Sequence, residues 1–236
     1  MKIGIMQPYF FPYIGYWQLI NAVDKYVIYD DVNFIKGGWI NRNRILMNGE
    51  AKLINLKMNG ASPNKLINEI ELANDIVYNK KLLKTIESCY KKAPYFEKAF
   101  PIIEDIINNS ERNLSKNLEH LIKKICIYLS INTEIILSSN IEKNTELKGQ
   151  DKVIEICRIL GGDEYYNAIG GIELYSHNDF MNAKLKLKFL KNNTIEYKQF
   201  NNDFIENLSI IDLMMFNSVE DIKNKLEMYE LIEVNN

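Results

Sequence analysis

Apolar and polar positions fall into short blocks along the chain. KIGIMQ (Lys2–Gln7) reads as a brief buried strand, and Tyr13–Ala22 as a helix with Pro12 at its first turn, where proline is tolerated. KYVIYDD (Lys25–Asp31) is a second strand, rich in β-branched and aromatic residues and closed by two carboxylates. Strand, helix and strand in so short a span make a βαβ unit, so the two strands are expected to be parallel. The run RILMNGEAKLINLKM places Asn48-Gly49 between two strand-like segments, the strongest short hairpin signal, and predicts a hairpin over 42–58.

A mostly helical stretch follows. Lys80–Lys91 is one helix, broken at Ala93-Pro94, and Phe100–Asn108 is a second. Ser110 or Asn113 caps a third, whose Leu114, Leu118, Leu121, Ile122, Ile125 and Leu129 recur at helical spacing. Then come a strand at Thr133–Ser139, a helix at Lys148–Leu160 stopped by Gly161-Gly162, and a strand at Glu164–Ile169 ending in Gly170-Gly171. LKLKFL (Leu185–Leu190) and IEYKQF (Ile195–Phe200) read as a second hairpin, and Leu208–Asn217 and Val219–Ile232 as closing helices. This order predicts an α/β fold: a parallel βαβ core with β-hairpins, in one domain over 1–236, with a helical insertion at about 78–130.

Composition narrows the function classes. The formal net charge is −2, so no global field draws in nucleic acid or an anionic membrane surface. No window approaches the roughly 20 apolar residues of a membrane span, and the first residues lack the features of a signal peptide. A cytoplasmic protein without membrane insertion is expected. The three cysteines, Cys89, Cys126 and Cys157, are widely spaced in helix-like apolar patterns and read as buried free thiols. Two histidines and these scattered cysteines do not support a zinc site, so no metal ligands are assigned. The absence of GxSxG, GxxxxGK[ST] and GxGxxG argues against serine hydrolase, P-loop and dinucleotide readings.

Four stretches carry candidate chemistry. In QPYFFPYIGY, which leaves the first strand where open α/β sheets bind ligands, Tyr9, Tyr13 and Tyr16 offer flat faces with hydroxyl tips. Pro8 and Pro12 stiffen this loop, and Gly15 permits close approach. The same rings could instead be core. In DDVNFIKGGWINRNRI, Asp30 and Asp31 end the second strand, where a carboxylate can hold a ribose hydroxyl or a metal, or act as a base. Lys36, Arg42 and Arg44 bring three cations together, and the two arginines share a strand face that suits a phosphate or carboxylate. A solvated patch with Trp39 as a core anchor is the plainer alternative. In YYNAIGGIELYSHNDF, Asn167, Gly170, Gly171 and Tyr175 form a further strand-end loop. In YKQFNNDFIENLSIIDLMMFN, Gln199 stands at a strand end, while Ser209 and Asp212 suit a helix start.

Taken together, QPYFFPYIGYWQLINAVDKYVIYDDVNFIKGGWINRNRI resembles the opening signature of the WbqC-like protein family. KGQDKVIEICRILGGDEYYNAIGGIELY and YKQFNNDFIENLSIIDLMMFN resemble its later blocks. The family is associated with gene clusters for bacterial surface polysaccharides such as O-antigen, lipopolysaccharide and capsule. The resemblance puts weight on Gln7, Pro8, Tyr9, Pro12, Gly15, Tyr16, Asp30, Lys36, Trp39, Asn41, Arg42, Gly170, Gly171, Tyr175 and Asp212. Asn33 stands where the family commonly has Gln. More distantly, a first strand followed by Tyr13-Ile14-Gly15-Tyr16 resembles nucleotidyltransferases and aminoacyl ligases with a HIGH motif, which implies a Rossmann-like core. The two histidines of that motif are absent.

The function these resemblances imply is a transferase acting on a nucleotide sugar, adding an acyl or aminoacyl group to an amino sugar. Asp30 and Lys36 are the candidate catalytic groups. Gln7, Tyr9, Tyr13, Gly15, Tyr16, Trp39, Asn41, Arg42, Arg44, Asn167, Gly170, Gly171, Tyr175 and Gln199 would bind substrate. The alternatives are a nucleotidyltransferase using ATP and Mg²⁺, or a non-catalytic binding protein of glycan assembly. A homodimer is compatible with either.

Overall fold

A computed structural model of the chain describes residues 1–200 and 203–233. Its strands and helices, in chain order, are β1 (Lys2–Met6), α1 (Ile14–Asn21), β2 (Lys25–Ile28), β3 (Arg42–Met47), β4 (Glu50–Asn55), β5 (Met58–Asn59), β6 (Glu71–Leu72), α2 (Ile76–Tyr90), α3 (Phe96–Ile107), α4 (Leu114–Leu129), β7 (Glu134–Leu137), α5 (Gly149–Ile159), β8 (Glu164–Ala168), α6 (His177–Asn182), β9 (Lys186–Asn192), α7 (Ile210–Phe216), α8 (Val219–Leu226) and β10 (Tyr229–Glu233).

Six strands form one sheet in the order β7-β2-β1-β8-β9-β10. All neighbours are parallel except the β9–β10 pair at the edge. Numbered among themselves, these strands run 3-2-1-4-5-6, the Rossmann order, with the direction of winding reversing between β1 and β8.

Side-chain alternation explains why both faces of the sheet are covered. Ile3 and Ile5 of β1, Val27 of β2 and Tyr165 of β8 pack with Val153, Ile156 and Cys157 of α5 and Phe180 of α6. Tyr26 and Ile28 of β2 and Tyr166 of β8 point the other way, into the larger core with α1, α4, α7 and α8. Gly4 lets α1 approach on that side. A Cβ there would lie 3.2 Å from the Tyr26 ring and 3.6 Å from Leu19.

The predicted βαβ opening and the hairpin over Asn48-Gly49 are present. Asn48 and Gly49 both take positive φ, 53° and 78°, as a tight hairpin turn requires. Asn113 caps α4 by accepting from the Lys116 amide at 3.2 Å. Two predictions at the C-terminal end are corrected. Ile195–Phe200 forms no strand, because both edges of β9 are taken, by β8 on one side and β10 on the other. The helix expected over Val219–Ile232 ends at Leu226, and the rest turns into β10, with Leu231 opposite Leu190. Among the described residues no helix is long and apolar enough to cross a membrane.

Candidate functional site

The loop after β1 shows why its prolines and rings belong together. Phe10 and Phe11 are fully buried and anchor the loop in the core. Phe11 holds a φ of 44°, strained for a bulky residue. The strain is held by its neighbours. The Asn43 amide donates to the carbonyls of Phe10 (3.1 Å) and Phe11 (2.9 Å), and the Trp17 indole donates to the Pro12 carbonyl at 3.0 Å. With two rings fixed inward, Tyr9 and Tyr13 are left half-buried at the mouth, their hydroxyl pKa values raised by burial.

A cavity of about 300 Å³ opens there, lined by Tyr9, Pro12, Tyr13, Trp39, Asn43, Arg44 and Asn207. Trp39 is 40% exposed and stands between two guanidinium groups, with Arg42 Cζ 5.8 Å and Arg44 Cζ 5.6 Å from its ring centre. It is therefore an exposed platform and not a core anchor. Arg44 reaches the Asn207 carbonyl at 3.3 Å, while its Nε is buried without a partner. A second cavity of about 240 Å³ shares Tyr13 and Asn207 and adds Asn192, Asn193, Thr194 and Glu206. Tyr13 sits over Gly15, where a Cβ would fall 2.6 Å from the Tyr13 ring and would also strike the Asn192 amide. Gly15 thus leaves the room in which Tyr13 and Asn192, both lining the second cavity, come together.

Several expected site residues do other work. Asp30 is 1% exposed, with both oxygens engaged: Oδ2 accepts from Ser115 Oγ and Ser139 Oγ, each at 2.7 Å, and Oδ1 from the Ser139 amide at 2.9 Å. It ties the end of β2 to α4 and to the end of β7, and is not a free base. Arg42 donates to the Gly37 and Gly38 carbonyls and staples its own loop. Tyr16 is 2% exposed and donates to the Gln7 carbonyl at 3.0 Å, so it is a core ring. The Asn41 amide holds the Leu56 carbonyl. Gln199 is buried and donates to Asp212 Oδ2 at 2.7 Å, joining the Tyr90 and Tyr197 hydroxyls around that carboxylate. Burial pushes the Asp212 pKa up against these three donors. Lys36 is exposed on the loop before Trp39.

At the reversal between β1 and β8, Asn167 donates to the Tyr175 hydroxyl at 3.0 Å, which also meets the Tyr165 hydroxyl at 3.0 Å. Gly171 lies against this group, since a Cβ there would be 2.8 Å from the Asn167 amide, while Gly170 faces open space. Burial raises the pKa of all three cysteines, those of Cys126 and Cys157 to about 12, so none is an activated thiol.

The sequence reading missed a charge cluster beside Asp30. Asp31 Oδ2 pairs with Lys143 Nζ at 2.8 Å and Lys152 Nζ at 3.0 Å, with both lysine side chains buried. Burial pushes the Asp31 carboxyl up, but Lys143, Ser138 and Lys152 together outweigh it and hold it below the ordinary range. Lys152 also lies 5.1 Å from the centre of the Tyr29 ring. The one available signal was a lysine in the first turn of a helix, where a cation opposes the helix dipole.

Strand order, an open carboxyl edge and an aromatic cleft beside it define a Rossmann-like α/β protein. More specifically, the chain belongs to the WbqC-like protein family, whose model matches residues 7–224. It is 25% identical over 217 residues to the uncharacterized protein Rv1507c of Mycobacterium tuberculosis (strain ATCC 25618 / H37Rv), covering 90% of this chain and 92% of that one. No solved structure is a significant match.

Proposed function

We propose that the protein is a transferase acting on a nucleotide-linked sugar in the assembly or decoration of a bacterial surface polysaccharide. The reaction is transfer of an acyl or aminoacyl group to the sugar's amine. The observation that carries this reading is the cleft itself: Tyr9, Tyr13 and the exposed Trp39 form flat walls, and Arg44 lines the same cavity. Such walls suit a base or sugar ring, and a guanidinium suits a phosphate. Asn192, Asn193 and Thr194 in the adjoining cavity suit sugar hydroxyls. In the transfer, the sugar nitrogen bonds to the donor's carbonyl carbon, the donor's leaving group departs, and the amine proton passes to Glu206, the carboxylate lining that cavity. The family's association with polysaccharide gene clusters supports the pathway.

Thermal unfolding in the presence of UDP-, dTDP-, GDP- and CMP-sugars tests the reading, on wild type and on Trp39→Ala. One nucleotide-sugar class should raise the melting temperature of wild type by linkage, and Trp39→Ala should lose that shift while keeping its own stability. A shift with ATP and Mg²⁺ alone would replace the proposal with nucleotidyl transfer. No shift with any of them would replace it with a scaffold role.

A further inference from the structure

Asp212 is fully buried, and among the described residues no cation pairs with it. Three uncharged donors meet it instead. The Tyr90 hydroxyl donates to Oδ1, and the Tyr197 hydroxyl and the Gln199 amide donate to Oδ2, each at 2.7 Å. The Tyr90 oxygen already accepts the Leu46 amide at 2.8 Å, so the proton of that hydroxyl points at the carboxylate. Burying a carboxylate without a counterion is costly, and three donors on two oxygens are what offset it here.

These bonds reach the candidate site. From Thr194 to Asn207 the described residues belong to no helix or strand, yet Thr194, Tyr197, Phe204, Glu206 and Asn207 wall the cavity of about 240 Å³. Asn207 also lines the larger cavity. Side chains therefore hold this wall. Phe204 packs edge-on against Tyr197, with ring centres 5.1 Å apart, and Phe200 packs on Phe216. Arg44 reaches the Asn207 carbonyl. Gln199 supplies the tie between them: its side chain accepts from the Ile205 amide at 2.8 Å and donates to the Ile205 carbonyl at 3.1 Å. It thus clasps the main chain just before Glu206 to the Asp212 carboxylate.

We propose that Asp212 is a positioning residue of the candidate site: through Tyr197 and Gln199 its carboxylate sets the wall of the smaller cavity. Asp212 itself lines neither cavity. An amide cannot take its place. Whichever way an asparagine side chain turned at this position, its NH₂ would meet a hydroxyl or an amide that is already donating. The clasp stands on these bonds alone, and only the assignment of the smaller cavity to the sugar rests on the nucleotide-sugar reading.

The first readout needs no ligand. Amide exchange of Ile205 is followed by NMR on the whole chain, well below the melting temperature, in wild type, Asp212→Asn, Tyr197→Phe and Ile156→Val. Ile156 lies in the core on the opposite face of the sheet, so trimming it lowers global stability without reaching the clasp. Ile205 should be protected in wild type. One opening of the wall breaks both bonds to Asp212, so exchange should quicken at least about tenfold in Asp212→Asn and about threefold in Tyr197→Phe, and stay within about twofold in Ile156→Val. The second readout is titration calorimetry with whichever of the UDP-, dTDP-, GDP- and CMP-sugars stabilises wild type, and with its free nucleotide. Asp212→Asn should raise the dissociation constant of the nucleotide sugar at least about tenfold and that of the nucleotide no more than about twofold, since the nucleotide rests on Trp39 and Arg44. Should Asp212→Asn not fold, Tyr197→Phe decides both readouts with the same signs.

An unprotected Ile205 in wild type, unchanged exchange in Asp212→Asn, or equal quickening in Ile156→Val overturns the proposal. So does a nucleotide sugar that binds Asp212→Asn as well as wild type, or one that weakens only as much as its nucleotide, which is what a merely structural carboxylate would give. If no nucleotide sugar binds wild type, the function proposed above falls, and the exchange measurement alone decides the clasp.

Discussion

Asp30 offers the sharpest separation between a catalytic and an architectural carboxylate. Its three hydrogen bonds, from Ser115 Oγ, Ser139 Oγ and the Ser139 amide, are 2.7–2.9 Å long and engage both oxygens. A hydrogen bond to a charged group contributes about 1.5–3 kcal/mol. Three at the lower bound give about 4.5 kcal/mol, against which removing a desolvated carboxylate returns part. Asp30→Ala should therefore destabilise the fold by about 3 kcal/mol. For a chain of this length, each kcal/mol lowers the melting temperature by about 2–4 °C, so a drop of about 6–12 °C is expected. Asp30→Asn keeps the shape and the Ser139 amide bond, and the two hydroxyls can turn to accept from the new NH₂. It loses charge assistance only, about 1 kcal/mol and about 2–4 °C. Thermal unfolding with a urea series at fixed temperature measures both. An Asp30→Ala protein melting within about 2 °C of wild type would refute the reasoning, because buried donors would then have lost their acceptor without consequence.

Two further outcomes follow from single positions. Gly15→Ala places a methyl group 2.6 Å from the Tyr13 ring, so Tyr13 and Asn192 must separate; cleft ligands should bind at least about tenfold more weakly in titration calorimetry, and unchanged affinity would show that the packing of Tyr13 on Gly15 does not shape the cleft. The Asp31 pKa is depressed in the fold, so its contribution to stability is complete above the ordinary carboxylate value of about 3.9 and is lost as pH falls below that toward the folded value. Urea unfolding between about pH 5 and pH 2 should show a shallower acid decline in Asp31→Asn than in wild type, and equal slopes would remove the ion cluster from the acid response.

The centre of the sheet was legible because its signals are local. Ile3, Ile5, Tyr26 and Ile28 alternate as strands must, and Asn48-Gly49 announces its own turn. The edge was not legible, because β9 chooses its partner across a long stretch of chain. IEYKQF has a strand's composition, yet Tyr197 and Gln199 turn inward to the buried Asp212, and the edge goes to Tyr229–Glu233. The Ser218 capping box with Asp221 starts α8 firmly, but nothing in the periodicity of Val219–Ile232 says where that helix gives way to a strand. Pairing energy settles it, and pairing is non-local.

The site shows the same division on a smaller scale. Arg42 and Arg44 share a strand face and a tryptophan, but glycine carbonyls within reach of Arg42 engage it, while Arg44 reaches the Asn207 carbonyl and lines the cleft. Asp30 and Asp31 are neighbours with opposite surroundings, and here strand parity holds the answer. Continuing the alternation of β2, Asp30 follows Tyr26 and Ile28 toward the α4 face, where Ser115 waits, while Asp31 follows Val27 toward the α5 face. Parity alone could thus have assigned one carboxylate to each side of the sheet. It could not have supplied Lys143 and Lys152, which lie more than a hundred residues away and reach Asp31 only because the chain leaves β7, crosses over through α5 and reverses the winding to place β8 beside β1. The topological reversal that makes room for a ligand in this architecture is therefore also what brings Lys143 and Lys152 onto the Asp31 carboxylate.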